Sequence, residues 1–156
     1  MSDYRDRRLK AMIMPADDAE DWQITTDSIR NLLAAANIDF PERVHGANSR
    51  DNGFVMLVDG DGRDRGLRYN PRAHYLSGYP IDHPIVGGVL FCSEDYGDDG
   101  MDIQHLTDQA EKWLTGEAPN EVLHTEGYTN WLAENRHTVA HYTIMHPGPI
   151  PHEPEH

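Results

Sequence analysis

A chain that runs from a short apolar stretch straight into two Asp-Gly pairs has little choice but to reverse direction there. Residues 53–73, GFVMLVDGDGRDRGLRYNPRA, have this form. Phe54 to Val58 is rich in β-branched and aromatic side chains and too short for a helix, so it reads as a buried strand. Asp59-Gly60-Asp61-Gly62 then supplies the positive φ angles that a tight turn demands. Leu67 and Tyr69 alternate with Gly66 and Arg68, which predicts a return strand and hence a β-hairpin. Asn70-Pro71 is expected to end it, because proline cannot donate to a ladder and disfavours helical geometry in the residue before it.

Further elements are predicted around this stretch. Arg8 to Met14 reads as a first strand stopped by Pro15. Ile29, Leu32, Leu33 and Ala36 recur at i, i+3, i+4, i+7 and mark one face of a helix that Thr25 or Thr26 would cap and Asn37 would stop. Val44 suggests a short strand, residues 49–53 a turn, and residues 73–84 a long structured loop. Ile85 to Cys92 is a second apolar strand, whose Gly87-Gly88 pair implies a bulge or a close backbone approach. Thr107 caps a helix that Gly116 terminates, and residues 130–141 suggest a last helix. The expected architecture is α+β: a small, mostly antiparallel sheet with two to three helices on one face. It forms one domain over residues 8–146, with flexible tails at 1–7 and 147–156.

One series of short motifs runs through this framework. Leu9-Lys10-Ala11-Met12-Ile13 is followed by the helix, then Val58-Asp59-Gly60-Asp61-Gly62, Gly66-Leu67-Arg68-Tyr69-Asn70 and His83-Pro84-Ile85-Val86-Gly87-Gly88-Val89-Leu90. In this order the chain, from about Arg8 to Leu114, resembles the domain of unknown function numbered 3846, a family of small proteins carried by actinobacterial phages, prophages and plasmids. The resemblance implies a mobile-element protein in a bacterial cytoplasm. It brings no catalytic residues with it.

Charge narrows the function further. Residues 1–72 hold 11 Lys+Arg against 13 Asp+Glu, a net of -2, whereas residues 73–156 hold 2 against 14, a net of -12, giving the total of -14. So acidic a half repels phosphate backbones, which argues against direct nucleic-acid binding; the charge suits either a partner protein with a basic surface or solubility alone. Cys92 is the single cysteine and has no intramolecular partner, in keeping with a reducing compartment. No apolar run approaches the ~18 residues of a membrane helix, and the N-terminus lacks the apolar core of a secretory peptide, so a cytoplasmic location off the membrane is expected. Oligomeric state is not encoded in any of these features.

The candidate sites follow from these clusters. Asp95, Asp98, Asp99 and Asp102, with Glu111 and Glu117, form the acidic partner-binding surface. An EF-hand is excluded: counted from Asp95, Gly97 stands third and Leu106 twelfth, and counted from Asp59, Asp64 takes the place of the sixth-position glycine. His137 and His141, four apart, would stack on one helical face as two ligands for a metal, but the Glu of a metalloprotease motif is absent. Arg65, Arg68, Tyr69, Asn70, Arg72 and His74 make up the alternative, a small-molecule site in which the guanidinium groups grip an anion. The contrary reading is that these arginines pair with Asp59, Asp61 and Asp64. No P-loop, dinucleotide fingerprint or nucleophile elbow is present, so no cofactor is expected. The sequence thus favours a non-catalytic accessory protein that binds a host or defence protein through its acidic surface, in the manner of a DNA mimic.

Overall fold

The computed structural model describes residues 4–17, 19–97, 100–116 and 125–148. Its strands are β1 (Arg8–Met14), β2 (Gln23–Ser28), β3 (Pro41–Val44), β4 (Val55–Asp59), β5 (Val89–Gly97) and β6 (Gly100–Gln104). Its helices are α1 (Ile29–Ala35), α2 (Ala47–Asn52), α3 (Pro71–Ser77), α4 (Asp108–Thr115), α5 (Thr125–Glu134) and α6 (Arg136–Met145), after a 3-10 turn at Tyr4–Asp6. The sheet order is β2-β1-β5-β4-β3, with β6 paired to β5. Every pairing is antiparallel, so the fold is α+β as expected.

The three central strands are apolar on both faces, and their period-2 alternation sorts side chains into two cores. Met12, Met14, Met56, Val58, Val89 and Phe91 point to one side, where Ala73 and Leu76 of α3 and Ala110 and Leu114 of α4 meet them. Leu9, Ala11, Ile13, Val55, Leu57 and Leu90 point to the other, against Ile29, Leu32, Leu33 and Ala36. Helices therefore cover both faces rather than one. A sheet whose central strands are buried on each side requires that.

Residues 53–73 fold differently from the predicted hairpin. β4 forms, and the Asp-Gly corner turns the chain, with the Gly62 amide donating to Asp59 O (3.1 Å). Residues 67–69 do not return along β4, because β3 and β5 already occupy its two edges. Instead Tyr69 makes a single bridge to Val86, and Asn70-Pro71 starts a helix rather than ending a strand. The same residues give both readings. Proline at the first helical position has no amide to leave unsatisfied, and Asn70 Oδ1 caps the turn by accepting from the Ala73 amide (3.1 Å). The loop predicted over residues 73–84 is therefore helical as far as Ser77.

Other boundaries shift for equally local reasons. Residues 23–28 pair with β1, so the cap of α1 is Ser28, whose Oγ accepts from the Asn31 amide (3.1 Å), and not Thr25 or Thr26. The turn predicted at residues 49–53 is the end of α2. Gly88 confirms the close approach read from its sequence: a Cβ there would lie 2.5 Å from Ala36 O. Thr107 and Gly116 cap and stop α4 as predicted. The last helix begins earlier than predicted, as α5, and continues as α6. Residues 1–3 and 149–156 of the expected tails lie outside the described residues.

Candidate functional site

The six residues of the predicted ligand site divide into a buried group and a surface group. Asn70 is fully buried and acts as a junction. Its Nδ2 donates to Met14 O (3.2 Å) and Gly87 O (3.0 Å), and its backbone amide donates to Ile85 O (2.7 Å). With its cap of α3, one side chain thus joins the end of β1, the turn before β5 and a helix. Arg72, also buried, reaches Pro15 O and Asp17 O with one guanidinium nitrogen (2.7 Å each), which closes the loop after β1.

Tyr69 and His74 are neighbours in the same core. The Pro80 carbonyl can only accept, so the His74 Nε2–H donates to it (3.0 Å), and Nδ1 accepts from the Tyr69 hydroxyl (2.7 Å). This pattern requires neutral imidazole. Burial holds the His74 pKa below its ordinary value, against the opposing pull of the Pro80 and Tyr79 backbone and Asp82. Burial, with Tyr128 and Tyr142 nearby, pushes the Tyr69 hydroxyl up. The rings of Trp131 and Tyr142 lie 5.5 and 6.3 Å from that of His74 and attach α5 and α6 to α3, and the Tyr142 hydroxyl donates to Ile81 O (2.7 Å).

A pH dependence follows from the buried imidazole. The unfolded chain takes up a proton near the ordinary value of about 6.5, before the folded chain does, so His74 contributes stability above that pH and loses it as pH falls toward the folded value. His146, lowered by burial, Arg63 and His141, adds to the same window. The urea midpoint is expected to fall between about pH 7 and pH 5, and the fall to be shallower in His74→Gln. A midpoint independent of pH across that window would contradict the neutral, buried assignment.

The surface arginines are held by ion pairs, as the contrary sequence reading had it in part. Arg65 binds Asp59, donates to Asn37 O (2.9 Å) and Asn37 Oδ1 (2.7 Å), and lies 3.5 Å from Asp39, so it fastens the Asp-Gly corner to the end of α1. Burial would raise the Asp59 carboxyl, but the Asp39 and Asp61 amides and Arg65 outweigh it and hold the pKa below the usual range. Arg68 lies 3.6 Å from Asp17 and borders a cleft of about 430 Å³ beside Ala36, Leu67 and Gly88. The six residues therefore do not converge on one cavity.

Of the acidic set, Asp98, Asp99 and Glu117 lie outside the described residues. Asp95 and Asp102 occupy paired register positions on β5 and β6, in the segment where β5 has passed beyond its pairing with β1 and β4. Glu111 pairs with Lys10 (2.9 Å). His137 and His141 are exposed on α6, and among the described residues no third histidine, cysteine or carboxylate gathers with them. Cys92 is buried, and burial together with Glu94 pushes its thiol up to about 12, against the pull of Arg43 and Arg7, which makes it unreactive at neutral pH.

Sequence reasoning missed a buried carboxylate. Glu94, 5% exposed in its side chain, lies 2.9 Å from His45 Nε2 and 3.9 Å from Arg43. Its only sequence signal was a charge two residues beyond an apolar strand.

No family model matches the chain, and no curated protein matches it. Among solved structures it is similar to the crystal structure of small RNA methyltransferase HEN1, with a TM-score of 0.45 and 20% identity over 69% of this chain. The chain spans 15% of the length of that one. The likeness carries no functional argument.

Proposed function

We propose that this chain is a non-catalytic accessory protein of a phage or other mobile element, which acts in the bacterial cytoplasm by binding a host or defence protein with a basic surface. The observation that carries the reading is the charge of residues 73–156, 2 Lys+Arg against 14 Asp+Glu. Such a surface attracts basic partners over several ångströms and repels phosphate, as a DNA mimic does. The location of four of the candidate ligand-binding residues supports the same reading. Tyr69, Asn70 and His74 are buried and spend their hydrogen bonds on the chain's own backbone and on each other, and one guanidinium nitrogen of the buried Arg72 is likewise held by backbone carbonyls.

Passing an actinobacterial lysate over the immobilised chain tests this. A DNA-binding protein should be retained at low salt, released by about 0.5 M salt, and displaced by duplex DNA. Retention indifferent to salt and DNA would defeat the proposal.

A further inference from the structure

Helix α6 is attached along one side only. Thr138, Val139 and Tyr142 are half-buried, and no residue of the helix is fully buried. The opposite side carries His137, Ala140, His141 and Ile144, at the i, i+3, i+4, i+7 spacing that makes one stripe, and all four are exposed. Ile144, at 75%, is the most exposed large apolar side chain among the described residues. No hydrogen bond or ion pair to a described residue occupies either imidazole of the stripe, and His141 makes only a ring contact with Tyr142, 6.0 Å between centroids. Residues 135–148 contain no aspartate or glutamate, in a chain of net charge -14.

We propose that His137 and His141 bind a divalent transition metal of the zinc class, and that the same two histidines of a second copy complete the coordination, so that the ion joins two chains through α6. Residues four apart on a helix have Cβ atoms about 5–6 Å apart, and imidazoles at that spacing can each turn one nitrogen onto a single ion at about 2.0–2.1 Å. Free of other bonds, these two rings can do so without breaking anything in the fold. Zinc takes four ligands in a tetrahedron, one chain supplies two, and among the described residues no third gathers with them. A two-fold axis through the ion supplies the missing pair and makes a closed, self-complementary contact. Ala140 leaves room for the second helix, and Ile144 has apolar surface to bury against it. The absence of carboxylates over this stretch spares two acidic chains their closest repulsion, and the charge of the ion offsets more of it. Calcium and magnesium prefer oxygen ligands and should not substitute. No described carbonyl or carboxylate fixes the second nitrogen of either ring, so the affinity is modest. The site is independent of the acidic surface and of the function proposed for it.

The test uses the full chain without an affinity tag, stripped of metal with EDTA and dialysed. Sedimentation equilibrium should give the mass of one chain, 17.7 kDa, in EDTA and twice that mass with zinc. Calorimetry should give one zinc per two chains, with half-saturation at about 10 μM. His137→Gln and His141→Gln should each weaken zinc binding about tenfold or more and leave the chain unpaired, whereas His83→Gln and the double variant His152→Gln/His156→Gln should behave as the unaltered chain. His137 and His141 are exposed, so urea midpoints of their variants in EDTA should match that of the unaltered chain. Four outcomes would overturn the proposal: no zinc binding below about 1 mM, binding that persists in both single variants, zinc held by one chain without pairing, or pairing that survives EDTA.

Discussion

Replacing Asn70 by aspartate is expected to cost about 3–5 kcal/mol at neutral pH, the largest loss for any near-isosteric change in this chain. The carboxylate can still cap α3, since Oδ1 already accepts from the Ala73 amide. It has no donor for Met14 O and Gly87 O, and both carbonyls would face negative charge inside the core. Two buried acceptors lose their partner, and a buried anion gains none. Small domains are stable by about 5–15 kcal/mol, so the urea midpoint should fall by about a fifth or more. Were Asn70 instead a ligand contact, its aspartate variant would keep normal stability.

Gly46→Ala should be nearly as damaging for a different reason. The backbone of Gly46 has φ -118°, which any residue adopts, so conformation is not the obstacle. A Cβ there would sit 2.1 Å from Ser77 O and 2.6 Å from Tyr79 N, backbone atoms at the end of α3 that cannot rotate away. The Ala47 amide donates to Gly78 O (3.2 Å) across the same contact, so α2 and α3 would have to separate. We expect a loss of about 3 kcal/mol, at the upper end of what over-packing costs, read from chemical denaturation. A change below about 0.5 kcal/mol would show that the α2–α3 contact yields readily.

How much of this was legible in the sequence depended on the range of the signal. The limits of β1, the buried face of α1 and both ends of α4 follow from local periodicity and capping, and these held. The hairpin did not, because which strands flank β4 is decided by residues 41–44 and 89–92, far along the chain from the Asp-Gly corner. Asn70-Pro71 was misread because the pair is as good a helix start as a strand end, and only tertiary context chooses. The polar cluster at residues 69–74 resembled a site for a related reason. Buried hydrogen-bonding junctions and ligand pockets draw on the same side chains, and sequence does not tell an inward partner from an outward one.

The proposed function rests on the acidic residues between 95 and 102, a segment that begins within β5. The measurement that bears on it most directly is the affinity for the captured host protein of a variant in which Asp95, Asp98, Asp99 and Asp102 are all changed to asparagine. The account predicts unchanged secondary structure with affinity weakened about tenfold or more at low salt, and a flatter salt dependence. Equal affinity and an equal salt slope for the two proteins would contradict it.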